Sequence, residues 1–179
     1  MSEGEGGHDV PLILTGLLPR DMHGWATRLR DRHFPPERNY LEAHVTLFHA
    51  IPAQCEDELG DLLKRLAGEF APPEGRLLGL MSLGGGTALK LESAQLMALR
   101  SVIADHFRGM LTQQDQGRPR LHVTIQNKVA SAEAKALQAE LEGAIEERRF
   151  AFRGLGLYRY RGGPWEHVRD FVFRGSEKP

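Results

Sequence analysis

His44-Val45-Thr46-Leu47 recurs as His122-Val123-Thr124-Ile125, and the reading of this pair decides the fold. Successive side chains of a β-strand point to opposite faces. As strands, both stretches set an imidazole and a hydroxyl side by side on one face and bury two aliphatic side chains on the other. With 8 His and 6 Thr in 179 residues, chance supplies roughly 0.3 copies of His-x-Thr. Two copies that share the middle valine and a following aliphatic are hard to obtain by accident. The bland alternative is a pair of strands that carry a polar face without chemistry.

The chain around the first motif falls into alternating elements. Val10 to Leu18 is an apolar run that reads as a buried strand. Pro19 and Asp21 start a helix with Met22, Trp25, Ala26 and Leu29 on its inner face, stopped by Pro35-Pro36. The motif strand is closed by Pro52. Leu59, Leu62, Leu63, Leu66 and Phe70 mark an amphipathic helix with acidic residues in its first turn, which suits the helix dipole. Residues 76–83 read as a strand, and Gly84-Gly85-Gly86 as the turn into another at Thr87 to Glu92. That triple glycine lacks the Gly-Lys-Ser/Thr ending of a phosphate-cradling loop.

Around the second motif the order returns. Ser93 caps a helix with the stripe Leu96, Leu99, Ile103, Phe107 and Met110, and 112–120 reads as a loop. After the motif strand, Ser131 is expected to cap a helix with Leu137, Leu141 and Ile145. Phe150 to Arg161 and Trp165 to Arg174 then form two strands about the turn Gly162-Gly163-Pro164. Strand, helix, motif strand, helix, strand thus occurs over 10–83 and again over 87–161, with a final strand at 165–174. The expectation is an α+β fold in which a duplicated unit places the two motif strands about a pseudo-twofold axis, their polar faces meeting in a central groove.

Composition sets the surroundings. The hydrophobic fraction of 41% suffices for one core, and no window reaches the length of a membrane span. Residues 1–9 read as a short mobile tail in which His8 is solvated, and residues 10–179 as one domain. The lone Cys55 excludes an internal disulfide and fits a reducing, cytoplasmic setting. Net charge is −1, which argues against tight nonspecific binding to long nucleic acid. Residues 1–99 carry a net −5 and residues 100–179 a net +4, so the second half is the better place for a small anion.

Two histidines, the side chains that titrate nearest neutrality, can share one proton near pH 7. One takes a proton from water or a ribose hydroxyl while the other gives one to the departing oxygen. Thr46 and Thr124 can hydrogen-bond the phosphate oxygens. No metal is required: His44 and His49 stand five apart without an acidic or Cys cluster. A serine nucleophile is disfavoured too, since no Gly-x-Ser-x-Gly elbow is present. His49, at an odd offset from His44, is expected to face away from the site.

HVTL at 44–47 and HVTI at 122–125, half a chain apart within the repeat, resemble the two-histidine (2H) phosphoesterase superfamily, and within it the 2′-5′ RNA ligase-like proteins. The resemblance covers roughly residues 10–174. It implies a bilobal α+β fold of two mostly antiparallel sheets, helices outside and the site in the cleft between the lobes. It also implies metal-independent, cofactor-free action on 2′,3′-cyclic phosphates or 2′-5′ phosphodiester linkages of RNA or nucleotides, with His44, Thr46, His122 and Thr124 as the catalytic quartet. Expected partners are RNA ends and short oligonucleotides or nucleotides with a cyclic phosphate, with no membrane involved and a monomer as the default. Several members carry a basic residue shortly after the second motif, where this chain has Gln126-Asn127-Lys128. Lys128, Arg118, Arg120, Arg159 and Arg161 are therefore candidate phosphate contacts, and Tyr158 and Tyr160 candidate base-stacking residues. A noncatalytic RNA- or nucleotide-binding module and a 2′-5′ ligase acting in reverse are the rival readings. The near-equivalent motifs leave open which histidine is base and which is acid.

Overall fold

The alternating and helical patterns are realised along residues 10–179, the part of the chain that the computed structural model describes; the expected tail at 1–9 lies outside the described residues. The elements are β1 (Leu12–Leu17), α1 (Arg20–His33), β2 (Val45–Ile51), α2 (Glu56–Glu69), β3 (Glu74–Ser82), β4 (Thr87–Glu92), α3 (Ala94–His106), α4 (Gln113–Gln116), β5 (His122–Gln126), α5 (Ser131–Leu141), β6 (Arg148–Ala151), β7 (Gly154–Tyr160) and β8 (Trp165–Val172). They form two four-stranded sheets, ordered β2-β1-β7-β8 and β5-β4-β3-β6. Every strand pair within them is antiparallel.

The closing strand of each repeat crosses into the sheet of the other. β3 pairs with β4, and β7 pairs with β1, so each sheet is built from both halves of the chain. The run expected as a single strand over 150–161 is instead two strands in different sheets. The change of sheet is made at Phe152 and Arg153, whose N–H groups donate to Pro73 O and Leu17 O at 2.9 Å. An alternating apolar pattern cannot distinguish one strand from two that meet at a bend. Three smaller corrections concern helix ends. Ala130, not Ser131, occupies the cap of α5, and Ile145 lies beyond its end. α3 stops at His106, leaving Met110 39% exposed. Within the expected loop at 112–120, Thr112 accepts a hydrogen bond from Asp115 N and starts the short α4. Ser93 does cap α3, its hydroxyl accepting from Leu96 N.

The buried face of the first sheet carries Leu12, Leu14, Val45, Leu47, Leu155 and Leu157, and that of the second carries Leu89, Leu91, Val123 and Ile125, all essentially solvent-free. α2 packs on β7 and β8, α5 on β3 and β4, and α1 on β5. Burying each such side chain is worth about 1.5–3 kcal/mol. A one-residue slip of either motif strand would exchange them for His and Thr, so burial fixes the register. Among the three glycines of the β3–β4 turn, Gly86 is fixed by space: a Cβ there would lie 2.2 Å from Gln126 O, at the end of β5.

β2 and β5 are edge strands, and buried side chains cover them. Asp115, 1% exposed, accepts from His49 N through both carboxylate oxygens (2.8 and 3.0 Å) and from Ala50 N at 2.8 Å. Arg100 donates through Nε to Leu47 O (2.9 Å) and through an Nη to Asp115 O (2.7 Å). On the other strand, Arg30 donates to Thr124 O at 3.0 Å and to Asn39 Oδ1 at 2.8 Å. The two arginines correspond in the repeat: one from α1 holds β5, the other from α3 holds β2. Burial pushes the Asp115 carboxyl up, but its bonds from the His49 ring and backbone outweigh that and hold it below the ordinary value. Its stabilisation is therefore present above the unfolded carboxyl pKa of about 3.9 and lost as pH falls through the lower folded value. Asp115→Asn should lower stability at pH 7 and flatten the loss of urea stability as pH falls below about 4. An unchanged acid slope would show that other carboxylates carry it.

Candidate active site

Where the apolar sides of β2 and β5 face the core, the opposite sides carry His44 and Thr46, and His122 and Thr124, each half-buried. The edge strands touch where the two sheets meet, which brings the motifs together. Their histidines are held in the same way. His44 Nδ1 donates to Glu42 O at 2.8 Å and His122 Nδ1 donates to Arg120 O at 2.7 Å. A carbonyl oxygen only accepts, so in both rings Nδ1 carries a hydrogen and Nε2 is left for a ligand. Neither Thr46 nor Thr124 spends its hydroxyl on another of the described residues, which leaves two neutral donors beside two imidazoles.

Burial pushes the His44 pKa down to about 4, against the backbone bond to Glu42; the positive charges of Arg30, His122 and His49 lower it further. His44 is therefore neutral at pH 7. Its ring packs against Trp165, with centroids 4.6 Å apart, and Trp165 continues to Tyr158 at 5.6 Å. His49 turns outward, its Nδ1 3.2 Å from Asp115.

The remaining sequence candidates separate. Tyr158 lies in the wall of cavities beside His44. Tyr160, 44% exposed, is opposite Trp165 in the register but lines neither of those cavities. Arg159 is committed elsewhere, bound through Nε and an Nη to both oxygens of Glu56 at 2.7 and 2.6 Å, and Arg161 is bound to Glu166. An odd offset from Tyr158 sends Arg159 through the sheet to the far face. Lys128 stands on the turn after β5, with a positive φ of 61°, in a separate surface cavity with Phe34 and Tyr40. Arg118 and Arg120 are exposed before β5, and Arg120 contributes its carbonyl to His122.

Several neighbours of the motifs escaped the sequence reading. Lys90 lies directly across from His122 in the β4–β5 register. Trp165 had only the preceding turn to mark it. Arg30 and Arg100 did leave a signal, because each falls four residues after a buried apolar residue (Ala26 and Leu96) and so interrupts an inward stripe with a charge. No group of three or more His, Cys, Asp or Glu residues is placed to hold a metal among the described residues.

The model of the 2′-5′ RNA ligase superfamily matches residues 18–164. No curated protein matches the chain. Among solved structures, TT0787 of Thermus thermophilus is similar at 16% identity and a TM-score of 0.63, covering 93% of this chain and 100% of its own. Escherichia coli LigT, solved with 3′-AMP, is similar at 18% identity and a TM-score of 0.59, covering 92% and 98%. A structure described as a phosphoesterase is similar at 17% identity and a TM-score of 0.58, covering 94% and 99%. At these identities the likeness establishes the fold.

Proposed function

The chain belongs to the 2′-5′ RNA ligase superfamily, and we propose that it is a metal-independent phosphoesterase that opens 2′,3′-cyclic phosphates, or cleaves 2′-5′ linkages, at RNA ends or nucleotides. The observation that carries this reading is the matched pair of histidines, each with Nδ1 tied to the carbonyl two residues earlier and Nε2 free. Structures of LigT with 3′-AMP, NADP+ and ATP are in keeping with a nucleotide ligand.

In hydrolysis of a cyclic phosphate, a water oxygen bonds to phosphorus and one ribose P–O bond breaks. His44, neutral at pH 7, takes the proton from the attacking water. His122 gives a proton to the departing ribose oxygen, so the pair ends the turnover one proton transfer from where it began. Thr46 and Thr124 hydrogen-bond the non-bridging oxygens as charge grows on them. Ligation is the same displacement with a 5′-hydroxyl in place of water: its oxygen bonds to phosphorus as one ring P–O bond breaks, the reverse of cleaving a 2′-5′ linkage to a cyclic phosphate.

The depressed His44 pKa has a consequence for the pH profile. A base must be unprotonated, so kcat/KM on its acid side should hold down to pH 5 and fall only near about pH 4. A histidine at its ordinary value would already lose most activity by pH 5.5. An acid limb near 6.5 would reverse the assignment of His44 as base. Turnover of nucleoside 2′,3′-cyclic phosphates in EDTA tests the reaction itself, and the phosphate position in the product identifies the bond that breaks. Oligonucleotide binding without turnover between pH 5 and pH 8 would identify a binding module instead.

A further inference from the structure

Beside His44, on the polar face of the first sheet, lies a cavity of about 300 Å³ whose walls include Thr15, Arg153, Tyr158, His167 and Asp170. Gly156 lets two of these walls close together: a Cβ there would come within 2.9 Å of Thr15 Oγ1 and 3.1 Å of Tyr158 Cε2. Arg153 is held at the edge by its backbone, its N–H donating to Leu17 O and its carbonyl accepting from Phe173 N at 3.1 Å. The Arg153 Nε is buried without a hydrogen-bond partner, and its guanidinium makes no ion pair among the described residues. The Nε is closed off from the cavity, so a ligand would meet the two outer nitrogens of the guanidinium, which no other described residue engages. The two carboxylates of the cavity are each in contact with a histidine, Glu42 with His23 at 3.1 Å and Asp170 with His167 at 2.9 Å. Asp170 thereby retains one oxygen for another donor.

This inventory disfavours a second phosphate, which would meet two carboxylates. It favours an uncharged ring that offers acceptors on one edge and donors on another, with Tyr158 as its apolar neighbour. Guanine has that pattern: O6 and N7 accept from the fork of a guanidinium, while its amino edge donates to a carboxylate. Adenine sets an amino donor beside N7, and the fork would meet it donor to donor. We propose that this cavity is a nucleobase subsite selective for guanine, with Arg153 on O6 and N7 and Asp170 on the amino edge. The proposal rests on the reading that the phosphate is held between His44 and His122.

The test is the ratio of kcat/KM for guanosine 2′,3′-cyclic phosphate to that for adenosine 2′,3′-cyclic phosphate, in which any uniform loss of activity cancels. The wild-type ratio should be about tenfold or more in favour of guanine, the scale of one bidentate base contact. Arg153→Gln should bring it near unity. Arg153→Lys, which keeps the charge without the fork, should lose most of the preference, and Asp170→Asn part of it. Equal wild-type turnover of the two, or a ratio that Arg153→Gln leaves in place, overturns the proposal. Binding of 3′-GMP and 3′-AMP, followed by tryptophan fluorescence, requires no turnover. A guanine preference in binding that Arg153→Gln removes, with neither cyclic phosphate hydrolysed, would retain the subsite and reject the catalytic reading. Equal affinities for the two nucleotides would reject the subsite.

Discussion

His44→Ala and His122→Ala should each lower kcat/KM for a nucleoside 2′,3′-cyclic phosphate by about 10²–10⁴-fold, measured in EDTA, with little change in thermal stability. That range is what a positioned proton donor or acceptor contributes to a transition state. The double variant should fall little further than the worse single one, because the two groups move protons in one concerted displacement and their losses do not add. Each ring contacts solvent on one side, so truncation leaves no large dry cavity and the fold should persist. The equivalence of the two sites makes the comparison informative. Both rings are tied to a carbonyl two residues back, and His44 is in addition pressed against Trp165 and pushed by burial to a pKa of about 4. Full activity in either alanine variant would remove that histidine from the mechanism and leave the phosphoesterase reading without its pair.

The second large effect is on stability. Arg100→Met should cost about 3–5 kcal/mol in urea unfolding at an unchanged m-value. Arg100 is 5% exposed, donates to Leu47 O and Asp115 O, and lies over the Phe48 ring at 4.3 Å. Charge-assisted bonds of this kind are each worth about 1.5–3 kcal/mol, and their loss strands two carbonyls. The methionine refills much of the volume, so the loss reports the bonds more than a cavity. A change under about 1 kcal/mol would instead mean that the cost of burying the guanidinium cancels what its bonds return. Because Leu47 O lies one residue past Thr46, an unfolding midpoint that falls together with kcat would tie the clasp to the placement of the motif.

The duplicated pattern was legible because it rests on local rules. Val45, Leu47, Val123 and Ile125 must be buried, so the alternate residues must share the other face. The same logic located the helices from their stripes at Leu59 to Leu66 and at Leu96 to Ile103. The surrounding candidates were read less well. Arg159 and Arg161 were plausible phosphate contacts by charge alone, but a partner more than a hundred residues away, Glu56, had already claimed the first.

The sequence by itself determined the two polar motif faces, the α+β alternation and the chemistry that two imidazoles and two hydroxyls permit. These depend on residue type and on spacings of two and 3.6, which act within a few residues. Only the tertiary structure decided that β3 and β7 change sheets, that Arg30 and Arg100 hold the motif strands across the repeat, and that Arg153, Tyr158 and Asp170 border one cavity with His44. Those juxtapositions join residues far apart in the chain. Their physical cause is the pairing of edges and the satisfaction of buried polar groups, which no local pattern encodes.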